Sequence, residues 1–249
     1  MDSESFRPRS GSDEAALEEY ILELINKLSP EDKPMALRAL TRYEREGAES
    51  TYSTEPQSLI QLIDDLRLLR NANWVGDLGA GPGDVVGALA DKYPQLQVTG
   101  IDISPTFVAK FNRNKKRQNA GMAVGLIDQP LSIGADNRTA AISVLTLDRL
   151  VNPKMLIDNM AKFNAAKILA TLLPIVAEDD NPSLQGTKNI YTAPEKRVVP
   201  GKNARDDRQE LWKLLQRSWN SPVEFATVPY VVSSSGDRQE YELGVFFTS

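Results

Sequence analysis

The sequence predicts an α/β fold with a mostly parallel sheet and helices on both faces. Three observations point to this class. From Ala72 to Leu173, short apolar strand segments alternate with helical segments across short connections. A glycine-rich turn at 79–83 lies between the first of these strands and the helix that follows it. The chain ends in two apolar segments joined by SSSGDR, which predict an antiparallel hairpin.

The segment before the glycine turn is predicted to be helical. Apolar residues at helical spacing predict a helix over 14–28, and Ser29 followed by Pro30 indicates the start of a second. A polar linker over 46–54 and a third helix over 55–69 complete this part.

The alternating part follows. Its predicted strands are 73–78, 96–102, 122–127, 140–147 and 167–173, and its predicted helices are 84–93, 105–119 and 153–163. A further helix over 207–219 precedes the final hairpin. The polar segment between the last predicted strand of the alternating part and this helix is long, and long loops inside compact domains are usually functional or disordered.

Composition and pattern divide the chain into three parts. Residues 1–13 lack the apolar run of a signal peptide and are expected to be a disordered tail. Residues 14–71 would form an N-terminal helical cap, and 72–249 a ligand-binding domain with a lid-like insertion at 178–208. The apolar run ILATLLPIVA is too short to cross a bilayer, which takes about 20 residues. We therefore expect a cytoplasmic protein with no membrane partner.

Composition also limits the chemistry. The chain of 249 residues contains no cysteine and no histidine, so it has no disulfide, no thiolate metal site and no histidine base or triad. Any acid–base step must use carboxylates, tyrosine, lysine or water. The formal net charge of −5 argues against a surface dominated by nucleic-acid binding.

The segment WVGDLGAGPGDVV, residues 74–86, carries the central motif. Its glycines let a ligand approach the backbone closely because no Cβ intervenes. The spacing is D-x-G-x-G-x-G, which differs from the dinucleotide pattern G-x-G-x-x-G. The sixth position of that pattern is Asp84, whose carboxylate would face a bound pyrophosphate unfavourably.

A second acid completes the motif. Asp102 ends the next predicted strand, where an acid can accept hydrogen bonds from the ribose hydroxyls of an adenosine. Asp77, two residues before the first glycine, then needs a positive partner. A ligand with a cationic amino-acid end and an adenosine end satisfies both carboxylates.

The motifs VGDLGAGPG, VTGIDIS and GLIDQPL, together with the final hairpin, resemble those of class I S-adenosylmethionine-dependent methyltransferases. The resemblance covers about Ala72 to Ser249. It implies a Rossmann-like sheet of seven strands, mostly parallel with the last strand antiparallel. It also implies S-adenosylmethionine as the cofactor and methyl transfer as the activity.

The resemblance assigns roles to individual residues around the methionine part and the ribose. Asp77 and the loop from Gly79 to Gly83, with Ala80 and Gly81, would hold the methionine part. Asp102 would hold the ribose.

For the adenine, the resemblance places Ile103 and Ile127 beside the ring and gives Asp128 a hydrogen bond to the amino group. Leu145, Thr146 and Leu147, at the end of the fourth strand, would face the methyl group.

Candidates for acceptor chemistry are Asp148, Arg149 and Tyr52. Asp148 could take a proton or attract a cationic substrate, and Arg149 could bind a carboxylate. Equally, Asp148 could begin a helical turn and Arg149 face solvent. Tyr52, like Tyr43, could hydrogen-bond a substrate or simply pack.

A metal is not expected. Asp148 and the EDDN segment at 178–181 have suitable residue types for a hard cation, but EDDN lies several residues beyond the predicted strand end.

The favoured function is methylation of a small-molecule acceptor at nitrogen, oxygen or carbon, in specialised metabolism. Two alternatives remain open. One is an RNA or protein methyltransferase, which would need a basic face beside the cofactor. The other is a non-catalytic partner or scaffold protein that keeps the fold.

Overall fold

The computed structural model describes residues 8–49, 52–114, 117–132, 138–147, 150, 153–172, 204–234 and 237–249. Its helices are α1 (Glu14–Asn26), α2 (Lys33–Glu49), α3 (Gln57–Asp65), α4 (Asp84–Lys92), α5 (Pro105–Asn114), α6 (Pro153–Ala161) and α7 (Ala204–Trp219). Its strands are β1 (Arg9–Ser10), β2 (Tyr52–Glu55), β3 (Trp74–Leu78), β4 (Gln97–Asp102), β5 (Ala120–Val124), β6 (Thr139–Val144), β7 (Lys167–Leu172), β8 (Glu224–Ser234) and β9 (Asp237–Phe247).

The strands form one sheet in the order β1-β5-β4-β3-β6-β7-β9-β8-β2. β5, β4, β3, β6 and β7 run parallel to one another, and β9 runs antiparallel between β7 and β8. The predicted class, with seven mostly parallel strands and an antiparallel last strand, is confirmed. The described sheet has nine strands because the N-terminal segment adds β1 and β2 at its two edges.

The N-terminal segment departs from the sequence prediction at two places. Arg9 and Ser10, expected in a disordered tail, pair antiparallel with β5, and Ser10 Oγ donates to the Met122 carbonyl at 2.8 Å. Within 46–54, expected as a linker, α2 continues to Glu49 and β2 then pairs with β8. Both strands satisfy backbone groups that an edge strand leaves unpaired, and polarity alone does not reveal such pairing.

The sheet is packed on both faces. One buried cluster joins apolar residues of α1 to α5 with one face of the sheet, through side chains such as Leu59, Val86 and Val108. The other cluster packs α6 and α7 on the opposite face, and includes Leu156 and Leu215. The N-terminal helices therefore share a core with the sheet rather than forming one of their own.

The final hairpin reaches beyond the rest of the sheet. β7 pairs only with Leu243–Phe247 of β9, so residues 237–242 of β9 pair with β8 alone. We call residues 229–234 and 237–242 the hairpin arm. β2 pairs with the β8 side of this arm at 231–234. Within the described part of the chain, no helix is both long enough and apolar enough to cross a membrane.

Candidate functional site

The loop between β3 and α4 needs its glycines for different reasons. Gly79, Gly81 and Gly83 have φ of 85°, 53° and 88°, a region that side-chain-bearing residues rarely adopt. A Cβ on Gly79 would overlap Thr146, and one on Gly83 would overlap Phe111. A Cβ on Gly81 would meet no atom within 4 Å. The loop is therefore packed at both ends and open at its middle.

The amide groups of this loop are already bonded inside the protein. The N–H groups of Gly79 and Ala80 donate to the Ile101 carbonyl at 2.8 and 3.1 Å. The N–H of Gly81 donates to Asp102 Oδ2 at 2.8 Å, and that of Gly83 donates to the Ala80 carbonyl at 3.0 Å. A phosphate-binding loop instead presents such amides to its anion. The loop thus offers close backbone approach and no nest for a phosphate.

A cavity opens beside the loop at the carboxyl edge of the parallel strands. Its atom-free space, counted together with the open solvent at its mouth, is about 990 Å³. Every residue that the sequence assigned to the cofactor, except Gly83 and Leu147, lines it: Asp77, Gly79, Ala80, Gly81, Asp102, Ile103, Ile127, Asp128, Leu145 and Thr146. Gly83 instead precedes α4 as its N-cap residue.

The residues assigned to acceptor chemistry are placed less fully. Asp148, Arg149 and the EDDN segment lie outside the described residues. Tyr52 begins β2, two positions before Thr54, which lines the cavity. The insertion expected at 178–208 lies outside the described residues up to 203, and its last residues begin α7. Leu147 is buried but does not line the cavity.

Asp77 has a buried carboxyl group that lacks a full set of partners. Its residue is 1% exposed, and its Oδ1 atom has no hydrogen-bond partner. Burial, followed by the charge of Asp102, raises the pKa of Asp77 to about 8. Because buried polar atoms are almost always hydrogen-bonded, an orphaned oxygen in a cavity wall indicates a partner supplied from outside the chain.

Asp102 fixes the loop and still faces the cavity. Its Oδ2 accepts the Gly81 N–H, and its Oδ1 accepts the Ser104 N–H at 3.0 Å. Burial raises the pKa of Asp102, and the backbone hydrogen bonds oppose that shift. A carboxylate has about four lone-pair sites, so capacity remains for hydroxyl donors. The contact with Gly81 is a role that the sequence did not predict.

Asp84 also has a role that the sequence reasoning missed. Its Oδ2 accepts the Thr54 N–H at 2.6 Å and the Thr54 hydroxyl at 3.3 Å. Burial raises the pKa of Asp84, and both hydrogen bonds from Thr54 oppose that shift. The acid that does not suit a dinucleotide therefore joins β2 to the start of α4.

Distant segments close the cavity. Ala36, Ala39 and Tyr43 come from α2, and Tyr230, which is 1% exposed, comes from the hairpin arm. Only Tyr43 among them was a candidate from the sequence, because the approach of these residues depends on how the arm and α2 pack. Leu145 adopts a φ of 55° in the cavity wall, a strained conformation of the kind found at functional sites.

The charges around the cavity have one sign. Among the lining residues that the structure describes, the charged types are Asp77, Asp102 and Asp128, and none is lysine or arginine. The other side chains that face the cavity are largely apolar, including Phe107 and Leu150. The cavity therefore suits a ligand with positive charge or hydroxyl donors.

Comparison with known proteins finds a methyltransferase family and a methyltransferase relative. A family described as "Methyltransferase domain" matches residues 75–163. Trans-aconitate 2-methyltransferase of Escherichia coli is 45% identical over 42 residues, which make up 17% of this chain and 17% of that protein. The chain thus aligns with less than a fifth of the length of this curated relative.

Two solved structures share the fold. A protein of Anabaena variabilis, described as a methyltransferase of an antibiotic biosynthesis pathway, has a TM-score of 0.50 and 17% identity, covering 69% of this chain and 65% of that one. The YcgJ protein of Bacillus subtilis has a TM-score of 0.51 and 14% identity, covering 78% and 97%.

The chain has the fold of the class I S-adenosylmethionine-dependent methyltransferases, as its motifs predicted. More particularly, residues 75–163 match the methyltransferase domain family. That span contains the glycine loop, Asp102 and Asp128.

Proposed function

We propose that this protein binds S-adenosylmethionine and transfers its methyl group to a small-molecule acceptor. The observation that carries this proposal is the orphaned carboxyl of Asp77, which shares one cavity with Asp102 across the open middle of the glycine loop. A nucleoside with an ammonium group at one end and ribose hydroxyls at the other supplies partners to both.

The cavity also lacks groups that typically bind the phosphates of a dinucleotide. Because the loop amides are bonded internally, a dinucleotide pyrophosphate would find neither free loop amides nor, among the described lining residues, a lysine or arginine. S-adenosylmethionine carries no phosphate. Asp77 would hold its ammonium group, Asp102 its ribose, and Ile103, Ile127 and Asp128 its base.

When bound, the cofactor supplies an electrophilic methyl group on a sulfonium centre. The chain's own contribution is to orient the acceptor and exclude water, and good alignment can supply several kcal/mol, up to about 7–11 in model reactions. Leu145 and Thr146 would lie at the methyl end, with Leu150 beside them. Tyr43 and Tyr230 would enclose the acceptor. Asp148, Arg149 and Tyr52 stay the candidates for proton transfer or acceptor binding.

A small acceptor in specialised metabolism is supported by two observations. Residues of α2 and of the hairpin arm contribute to the cavity wall, as a pocket for a small acceptor requires. One relative acts on trans-aconitate and one structural neighbour comes from an antibiotic pathway, as their names state. The absence of lysine and arginine from the described lining disfavours a nucleic-acid acceptor.

The test is calorimetric titration with S-adenosylhomocysteine, followed by mass spectrometry of reactions with S-adenosylmethionine and a panel of small acceptors. We expect the unaltered protein to bind and Asp102→Ala to bind about 10–100-fold more weakly, because hydrogen bonds to a charged group contribute about 1.5–3 kcal/mol. Asp158→Ala removes an exposed acid paired with Lys154 and serves as the control. No binding by the unaltered protein, or equal affinity for Asp102→Ala, would contradict the proposal.

A further inference from the structure

One side chain of α6 braces the cavity wall formed by residues 126–128. Asn159 is 0% exposed. Its Nδ2 donates to the Ile127 carbonyl at 2.9 Å and to the Gln129 carbonyl at 2.8 Å, and its Oδ1 accepts the Leu131 N–H at 3.0 Å. A single amide group thus bonds the peptide groups of three alternate residues.

A neighbouring lysine reinforces this brace. Lys162 Nζ donates to the Leu131 carbonyl at 2.8 Å and to Asn159 Oδ1 at 2.9 Å. The turn's own backbone bond, from the Gln129 N–H to the Leu126 carbonyl, is 3.3 Å long, beyond the usual range for N–H···O bonds. Bonds from α6 are therefore shorter than the bond with which the segment closes its own turn.

The chemistry of this position is narrow. It needs two donors and one acceptor in one rigid plane, and among side chains of this length only asparagine offers them. A carboxylate would set its oxygens against the carbonyls of Ile127 and Gln129. A leucine would fill the space and leave three buried peptide groups without this partner, which is costly.

We propose that Asn159 is a positioning residue for the base of the bound nucleoside, acting through Ile127 and Asp128. This inference rests on the proposed function, because it assumes that the cavity holds an adenine nucleoside. Asn159 itself does not line the cavity and so touches no ligand. It fixes the backbone that carries Asp128, and the Asp128 carboxylate accepts a hydrogen bond from the exocyclic amino group of the base.

The chain contains a matched control. Asn119 also uses its Nδ2 to bond backbone carbonyls, those of Ala90 at 3.2 Å and Leu96 at 3.0 Å. None of these residues lines the cavity. Replacing Asn119, which is partly buried, therefore removes bonds of the same kind without releasing the segment that carries Asp128.

The experiment measures the dissociation constants of S-adenosylhomocysteine and of S-inosylhomocysteine, in which an oxo group replaces the amino group. We expect the unaltered protein to prefer the adenine compound about tenfold, as one good hydrogen bond allows. Asn159→Leu and Asn159→Asp should bind both compounds within about threefold of each other, whereas Asn119→Leu keeps the full preference. Loss of preference in Asn119→Leu as well, retention of it in Asn159→Leu, or no preference in the unaltered protein would overturn the inference.

A second measurement separates this inference from the proposed function. In the ligand-free protein, hydrogen exchange at the Leu131 amide should rise in Asn159→Leu and stay unchanged in Asn119→Leu. If the unaltered protein binds no nucleoside, the proposed function fails while this exchange result still reports on the brace. Should Asn159→Leu not fold, Lys162→Met removes only the reinforcing bonds and should lower the base preference partially. An unchanged preference in that variant would count against the inference.

Discussion

For single residues, the site depends on two buried acids and one partly buried acid that differ in their partners. Burial raises the pKa of Asp77, Asp84 and Asp102 alike. Asp84 and Asp102 accept backbone N–H groups, which recover part of that cost, whereas Asp77 leaves one oxygen unpaired. Asp77 therefore costs stability in the empty protein, and under the proposed function it would gain a partner when the ammonium group binds.

This difference predicts a pH dependence. With a folded-state pKa of about 8 against an ordinary value near 4, Asp77 holds a proton in the folded protein that the unfolded chain has released. The free energy of unfolding should therefore fall as pH rises from about 4 to about 8. Asp77→Asn removes this loss. The free energy of unfolding of the variant, relative to that of the unaltered protein, should therefore increase between pH 5 and pH 8 by on the order of 3 kcal/mol.

The measurement is urea denaturation of the ligand-free protein and of Asp77→Asn across that pH range. Asp65→Asn, at an exposed position outside the cavity, is the control and should leave the gap between curves constant. A constant gap for Asp77→Asn would mean that Asp77 titrates normally.

At the scale of elements, the cavity depends on β2 being held between two partners. β2 pairs with β8 on one side, and its Thr54 contacts Asp84 at the start of α4 on the other. The same β8 carries Tyr230, which lines the cavity. Asp84 thus links the glycine loop to the hairpin arm, and the arm should be less firmly placed without it.

Asp84→Ala should expose the Thr54 amide to exchange. We expect about tenfold faster hydrogen exchange at Thr54, equivalent to about 1.4 kcal/mol, and weaker binding of S-adenosylhomocysteine. Asp91→Ala, on the exposed side of the same helix and paired with Arg117, should leave both quantities unchanged. Equal exchange at Thr54 in Asp84→Ala and the unaltered protein would show that β8 alone holds β2.

For the whole molecule, the central sheet could be predicted from local sequence patterns. The glycine loop and Asp102 follow directly after strands, and parallel strands bring such positions to one edge, so the sequence sufficed to gather them. The final hairpin could likewise be predicted from the sequence of its turn. These features depend on residues close together in the chain.

Features that depend on distant contacts were not predictable in the same way. The pairing of Arg9 with Val124, and of Thr54 with Val232, joins segments more than a hundred residues apart. Asp84 was interpreted by its effect on a phosphate, because its partner lies 30 residues earlier in a segment expected as a linker. The sequence does not distinguish Asn159 from other polar helix residues, because its three backbone partners lie about 30 residues earlier in the chain.

We propose that Asp77 and Asp102 hold the two ends of one sulfonium nucleoside across the glycine loop. A crystal structure of the full chain with S-adenosylhomocysteine tests it most directly. We expect the ammonium group beside Asp77 Oδ1, both ribose hydroxyls within about 2.5–3.0 Å of Asp102, and the base against Ile127 and Asp128. A nucleoside bound elsewhere, or a cavity filled by the protein's own side chains, would contradict it.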